Sequence, residues 1–299
     1  MKSLTLPSYA KLNLYLKVVG RRPNGYHDLV TIFHRISLKD TLRLRKRPWG
    51  FSLKISEARL SAGEDNLITK AYRELQSECP RIGGVSVFLN KKIPIGAGLG
   101  GGSSNAAAFI LGVNRLFGLG LSKARMMKLG AKLGADVPFF ILNTTQAVGR
   151  GIGEKLVVKP AKKRLWFLLL VSDKGLVTKK VYENLPKRLP VASLTKINHT
   201  VKLICDLLEG DGKSNPGKWL CNDLEAPAFR LRPSLRKSLD RFRKLGISTS
   251  RMSGSGPTLF AVLSNRNEAL QVAKKWRGDF RRKNGRRKKF DPVIVCHSA

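Results

Sequence analysis

Between positions 10 and 18, apolar side chains fall on every second residue (Ala10, Leu12, Leu14, Leu16, Val18), the period of a strand with one buried face. Lys11 and Asn13 therefore share its opposite, polar face. Pro23-Asn24-Gly25 supplies turn chemistry, and residues 29–44 read as further strand interrupted near Lys39-Asp40, which makes an early hairpin or meander. Asp65 is placed to cap a helix carrying Leu67, Ile68, Ala71 and Leu75, and residues 85–89 return to strand alternation. Residues 103–117 are alanine-rich with helical spacing. Ser122 caps a second helix that runs through Leu133 and stops at Gly134. Val137-Pro138 argues against further helix, leaving Asp136 in the turn just beyond.

Residues 149–153 and the basic stretch 159–164 read as linker, and 165–171 is the continuous apolar run of a fully buried strand. Helix 234–245, strand 258–263, helix 267–276 and strand 293–296 follow. The order fits an α+β chain with two sheets carrying helices on one side. A boundary near 155–163 divides it into domains of residues 1–158 and 159–299.

Composition narrows the class. Hydrophobic residues make up 42% and are spread along the chain, which argues for a folded protein. No apolar run approaches the roughly 20 residues of a membrane span, and residues 1–20 alternate in place of a secretory core, so a cytoplasmic protein without a membrane partner is expected. Cys79, Cys205, Cys221 and Cys296 lack C-x-x-C spacing and read as buried free thiols. The balance of 57 Lys plus Arg against 20 Asp plus Glu, a net +37, exceeds what solubility requires and brings polyanions into view. The densest basic run, 277–289, reads as a solvated loop more than a nucleic-acid contact, because no aromatic side chain lies within 281–289 to stack on a base.

The chemistry concentrates at Pro94-Ile95-Gly96-Ala97-Gly98-Leu99-Gly100-Gly101-Gly102-Ser103-Ser104, between a predicted strand and a predicted helix. Glycine permits positive φ and close backbone approach, and a helix amino terminus offers free N–H groups to phosphate. Ser103 and Ser104 add hydroxyl donors. Gly96, Gly98 and Gly101 match a dinucleotide fingerprint, but the acidic residue that would bind the ribose is missing: no carboxylate stands between Glu78 and Asp136. A Walker A loop is excluded because no lysine precedes Ser103. Asp136 is either a structural helix-end residue or the acceptor of a substrate proton. Lys11 is either solvated or a stabiliser of phosphoryl charge. Gly25-Tyr26-His27 is a packed turn or a ring and imidazole offered to a ligand, and Ser253-Gly254-Ser255-Gly256-Pro257 a tight turn or a second wall of a nucleotide site.

Taken together, Ala10-Lys11-Leu12-Asn13-Leu14, Asn24-Gly25-Tyr26-His27, the loop 94–104 followed by Asn105-Ala106-Ala107, Leu133-Gly134-Ala135-Asp136-Val137-Pro138 and Ser253-Gly254-Ser255-Gly256 resemble the GHMP kinase superfamily nearly end to end. That resemblance implies an amino-terminal domain like the second domain of ribosomal protein S5 and a ferredoxin-like carboxy-terminal domain. It implies transfer of the ATP γ-phosphate to the tertiary 2-hydroxyl of a cytidylyl-methylerythritol, with Asp136 as base or orienting acceptor and Lys11 stabilising charge and holding Asp136 ionised. Asn13 would position the substrate, Tyr26 stack on cytosine, His27 read its edge, Tyr182 close the other ring face and Thr178 line the pocket. Magnesium is expected as the charge-neutralising ion of ATP, with its protein ligands unassigned. A monomer or weak homodimer is expected. The alternatives are another GHMP small-molecule kinase and an S5-like RNA-binding protein without catalysis.

Overall fold

The computed structural model describes residues 2–80, 82–172, 174–187, 193–210, 219–284 and 293–299, and the side chains of all of these except 279–284. The chain forms two compact units interleaved along the sequence, Met1–Lys11, Leu38–Ile95 and Gly100–Thr144 in the first, Leu12–Ser37, Gly96–Leu99 and Thr145–Ala299 in the second. Strands β1 (Ser3–Arg21) and β2 (His27–Arg47) run through both.

In the first unit these strands are followed by β3 (Phe51–Ile55), α1 (Leu67–Glu78), β4 (Gly84–Asn90), α2 (Gly101–Phe117), α3 (Lys123–Leu133) and α4 (Val137–Leu142). The strands lie in the order β3-β4-β2-β1, with β2 antiparallel to β4 and β4 parallel to β3. Leu42, Leu44, Val85, Val87 and Leu89 turn inward and are buried. Helix α2 comes so close to this apolar face that a Cβ on Gly112 would stand 2.4 Å from both Leu44 and Leu6, so glycine sets the distance between helix and sheet.

The second unit adds β5 (Gln146–Arg150), β6 (Lys155–Val158), β7 (Trp166–Leu170), α5 (Thr178–Glu183), α6 (Leu194–Glu209), β8 (Cys221–Asn222), α7 (Glu225–Leu231), α8 (Pro233–Lys244), β9 (Ser250–Met252), β10 (Leu259–Leu263), α9 (Arg266–Asn284) and β11 (Val293–His297). An antiparallel sheet runs β11-β7-β10-β9, and its buried Leu168, Leu170, Leu259 and Ala261 join Leu239, Phe242 and Trp276 from the helices in one core. β5 pairs with residues Thr31 to His34 of β2, and β8 pairs with β1 at Tyr15 and Leu16.

Several expectations are corrected. β1 is buried on both faces from Ala10 to Leu16, so Lys11 and Asn13 are enclosed at 4% and 3% exposure instead of solvated. β2 does not break at Lys39-Asp40, because the Asp40 carboxylate is fully satisfied inside the fold. Asn66, not Asp65, caps α1 through its side chain on Ile68 N. α2 begins at Gly101, and Val137-Pro138 opens α4 instead of preventing helix, proline being well tolerated in a first turn. The 149–153 stretch is no linker but part of the β5–β6 hairpin. Cys205 and Cys296 are buried, whereas Cys79 and Cys221 are half-buried, and all are free. The basic run 277–289 begins as α9, which continues to Asn284; its remainder lies outside the described residues. Among the described residues no helix is long and apolar enough to cross a membrane.

Candidate functional site

In the first unit the ammonium of Lys11 lies 3.2 Å from Asp136 Oδ2, with the lysine side chain 5% and the aspartate side chain 30% exposed. Strand β1 supplies the lysine; the turn from α3 to α4 supplies the aspartate, which stands at the N-cap of α4 without making a side-chain cap bond. The carboxylate is thus held by a buried cation yet open on one side. Gly100, in the left-handed region at φ 69°, rests on the stem of Lys11 and on Phe140: an added Cβ would meet Lys11 Cε and Cγ at 3.1 Å and Phe140 Cζ at 3.0 Å. The sequence needs glycine there both for the backbone angle and for the contact.

From Gly100 the chain enters α2, whose N-cap makes no side-chain hydrogen bond and whose first turn holds no acidic residue. The N–H groups of this turn and the half-buried Ser103 form a ready anion site. The Ser104 hydroxyl, by contrast, is buried and accepts from Ser8 Oγ at 2.7 Å. Beneath this turn lies a network that sequence reading missed. Asp40, wholly enclosed, accepts from the backbone N–H of Lys92 and Ile93 through Oδ1 at 2.6 and 2.7 Å, and from Lys91 Nζ and Asn105 Nδ2 through Oδ2 at 2.7 and 2.8 Å. Burial lowers the Lys91 pKa, opposed by the Asp40 charge. One strand aspartate therefore fixes both ends of the glycine segment that belong to this unit. Its only trace in the sequence is a charge inside an apolar strand, which looks like an interruption.

In the second unit, residues Gly96–Leu99 of the loop lie on the second glycine cluster. Ser253 Oγ donates to Gly98 O at 3.2 Å, and Thr258 N donates to Ala97 O at 3.3 Å. Gly98, at φ 74°, permits this: a Cβ would stand 2.5 Å from Ser253 O. The 253–257 stretch is thus both a strand-linking turn and a support for the glycine loop. Asn222 holds that turn from behind, its amide donating to Met252 O at 2.7 Å and Gly254 O at 2.8 Å. The side chains of Ala97 and Leu99 are buried as anchors, Pro94 is half-buried and Ile95 is exposed.

Also in this unit, Asn13 Nδ2 donates to Thr31 Oγ1 at 2.8 Å and Asn13 N to Ser253 Oγ at 3.3 Å. Tyr26 is 59% exposed, whereas the adjoining His27 is 5% exposed. Arg21 Nε donates to His27 Nε2 at 3.2 Å, which leaves the ring proton on Nδ1, and that buried Nδ1 has no partner among the described residues. Burial first, and the Arg21 charge second, lower the His27 pKa, so the ring is neutral near pH 7. Tyr182 lies beside it, ring centroids 5.3 Å apart and planes at 33°. Thr178, opening α5, shares a hydrogen bond of 2.8 Å with Ser255.

The sequence matches the model of the GHMP kinases N terminal domain over residues 66–144 and that of the GHMP kinases C terminal domain over 206–282. It is 39% identical to a 4-diphosphocytidyl-2-C-methyl-D-erythritol kinase of Moorella thermoacetica over 91% of this chain and 94% of that one. It is 36% identical to the corresponding kinase of Syntrophus aciditrophicus over 90% and 93%. A crystal structure of a 4-(cytidine 5'-diphospho)-2C-methyl-D-erythritol kinase superposes with a TM-score of 0.79 at 31% identity, covering 99% of this chain and all of the other. A homoserine kinase from Cytophaga hutchinsonii shares the fold at a TM-score of 0.74 and 17% identity.

Proposed function

The chain belongs to the GHMP kinase family, and from that premise we propose that it transfers the γ-phosphate of ATP to the 2-hydroxyl of 4-diphosphocytidyl-2-C-methyl-D-erythritol, a step in non-mevalonate isoprenoid precursor synthesis. Residues 1–158 and 159–299 serve as its amino- and carboxy-terminal kinase domains. The observation that carries the substrate reading is the His27 Nδ1–H, a buried donor without a partner next to an exposed tyrosine. A buried donor left unpaired costs roughly 1–3 kcal/mol, so such a group is best explained by a ligand acceptor. Cytosine offers N3 and O2. Tyr26 stacks on the base, Tyr182 closes the other ring face, and Asn13 and Thr178 orient the rest of the substrate.

The loop 94–104 receives the ATP phosphates, with the N–H groups of the α2 first turn on the phosphate oxygens. Asp136 accepts the proton of the acceptor hydroxyl. Lys11 orients that carboxylate and meets the charge on the transferring phosphoryl group. Magnesium bound with the nucleotide would neutralise the triphosphate charge. The donors present suit an ion carried mainly by the nucleotide: no three His, Cys, Asp or Glu side chains cluster among the described residues, and Ser103 is the hydroxyl donor on the first turn of α2.

The test is ADP release from Mg-ATP by the purified protein with the cytidylyl compound, mevalonate, homoserine or no acceptor. ADP formed with the cytidylyl compound alone is the expected outcome. Turnover with mevalonate or homoserine, or with none of the acceptors, refutes the reading.

A further inference from the structure

The outward face of the sheet in the first unit is basic and aromatic, and no catalytic role touches it. Along β2 the side chains of Lys39, Arg43, Arg45 and Arg47 are exposed, while Asp40, Leu42 and Leu44 between them point inward and are buried. Strand register extends these into rows. Arg43 stands opposite Phe88 on β4, and Phe88 opposite Lys54 on β3; Arg45 is followed across the sheet by Ser86 and Ser52. Arg47 stands opposite Gly84 and donates to Ser52 Oγ at 3.1 Å. Gly84 has no side chain for a steric reason: a Cβ there would lie 2.3 Å from the backbone of Trp49, which folds over the end of the face. Trp49 is 77% exposed and Phe88 46%. On β1, Tyr9 takes the ammonium of Lys39 over its ring at 5.4 Å. Asn90 and Thr41 complete the face, and none of these outward residues is a carboxylate.

This pattern has a cost in water. Outward residues of one strand repeat at about 6.6–6.8 Å and neighbouring strands lie at about 4.8 Å, so the arginines and Lys54 repel one another without an acidic neighbour on the face. A polyanion laid across the rows relieves that repulsion. The aromatic rings select its class. Phe88, flanked in its row by Arg43 and Lys54, and Trp49 at the end of the arginine line are single flat platforms separated by cations. They do not form a continuous apolar patch fit for lipid chains. A flat pleated face also has no helix or ribbon to enter a duplex groove.

We propose that this face binds single-stranded nucleic acid, with phosphates on Arg43, Arg45, Arg47 and Lys54 and bases stacked on Phe88 and Trp49. The activity is separate from phosphoryl transfer and accounts, residue by residue, for part of the +37 charge.

The test measures anisotropy of a fluorescein-labelled oligouridylate of about 12 nucleotides, a length within the usual single-strand site sizes. Binding weakens steeply with salt. The pair Arg43→Ser with Arg45→Ser weakens it at least ~10-fold and flattens the salt slope by roughly one to two phosphate contacts. Phe88→Leu, which keeps charge and apolar bulk but removes the ring, weakens it roughly tenfold with the slope unchanged. The pair Lys123→Ser with Lys128→Ser, an equal loss of charge on the exposed side of α3, leaves binding within about twofold, and ADP formation is the same in every variant. Equal losses from the α3 pair and the β2 pair overturn the proposal, as does tighter binding to duplex DNA or to phosphatidylserine vesicles than to the single strand. Unchanged affinity in Phe88→Leu removes the stacking role and with it the single-strand assignment.

Discussion

At the scale of single residues, the proposed function rests on a few side chains held in unusual surroundings. Lys11 is an enclosed ammonium ion-paired with a partly open carboxylate, Asp136, so the pair is anchored at the cation and exposed at the base. Asp136→Asn keeps size and shape but cannot take the substrate proton. It is expected to lower kcat at least ~10²-fold while the ATP dissociation constant stays within about twofold, measured by steady-state ADP release and nucleotide titration. His27 is the second such residue. His27→Phe removes the Nδ1–H and is expected to raise KM for the cytidylyl substrate roughly 10- to 100-fold, with KM for ATP unchanged. A parallel rise in both constants would mean that the ring is only packing. Neither residue announces its role by type: a lysine or histidine inside a strand is ordinarily structural, and the distinction lies in what stands opposite.

At the scale of elements, the glycine loop is shaped by what it rests on. Gly98 touches the β9–β10 turn through backbone atoms, where a side chain has neither an allowed φ nor space. Gly98→Ala is expected to cost roughly 1–3 kcal/mol in urea unfolding and to raise KM for ATP, because the turn and the loop segment must part. Strand β2 carries a different device. His34, fully enclosed between Gln146 of β5 and Ser298 near the chain end, has its pKa pushed down to about 4 by burial. The unfolded chain binds a proton near pH 6.5 and the folded one only near 4, so the unfolded state holds more protons between these values. Stability is complete above pH 6.5 and declines as pH falls toward 4, by on the order of 3 kcal/mol. Urea midpoints at pH 7.5, 5.5 and 4.5 read this directly, and His34→Gln should flatten the slope over that range.

At the scale of the whole molecule the dominant quantity is charge. A net +37 would draw ATP and the proposed diphosphate-ester substrate toward the protein from a distance, an effect that weakens as the screening length falls from about 10 Å at 0.1 M salt to about 3 Å at 1 M. kcat/KM for both substrates is expected to fall severalfold across that range with kcat nearly constant, since screening weakens attraction over long distances more than interactions between groups already in contact. A kcat that falls in step would move the salt effect from encounter to the catalytic groups.

How much of this was legible before folding differs by the range of the forces involved. Local patterns spoke clearly. The strand around residues 10–18, the helix with its Ser122 cap and Gly134 stop, the buried strand at Trp166–Leu170 and the strand-to-helix glycine loop all follow from neighbours within one turn or one pleat. The motif set likewise pointed to the kinase family, because phosphate cradling needs glycine at particular backbone positions. Three-dimensional placement decided the rest. Asp40 reads as a break in a strand until Lys91, Asn105 and two backbone N–H groups arrive from 51 to 65 residues away to satisfy it. Lys11 and Asn13 read as solvent-facing until the second face of β1 is also covered. Arg43, Arg45 and Arg47 are only a basic alternation until strand register sets Phe88 and Lys54 beside them. Periodicity and capping within the chain were enough for the strands at residues 10–18 and 166–170, the helix from Ser122 to Gly134 and the glycine loop between strand and helix, since these depend on local backbone preference. Which polar groups are enclosed, which are paired and which, like His27 Nδ1, have no partner among the described residues followed from the three-dimensional fold, because burial and Coulomb interaction depend on distance in space and not on separation along the chain.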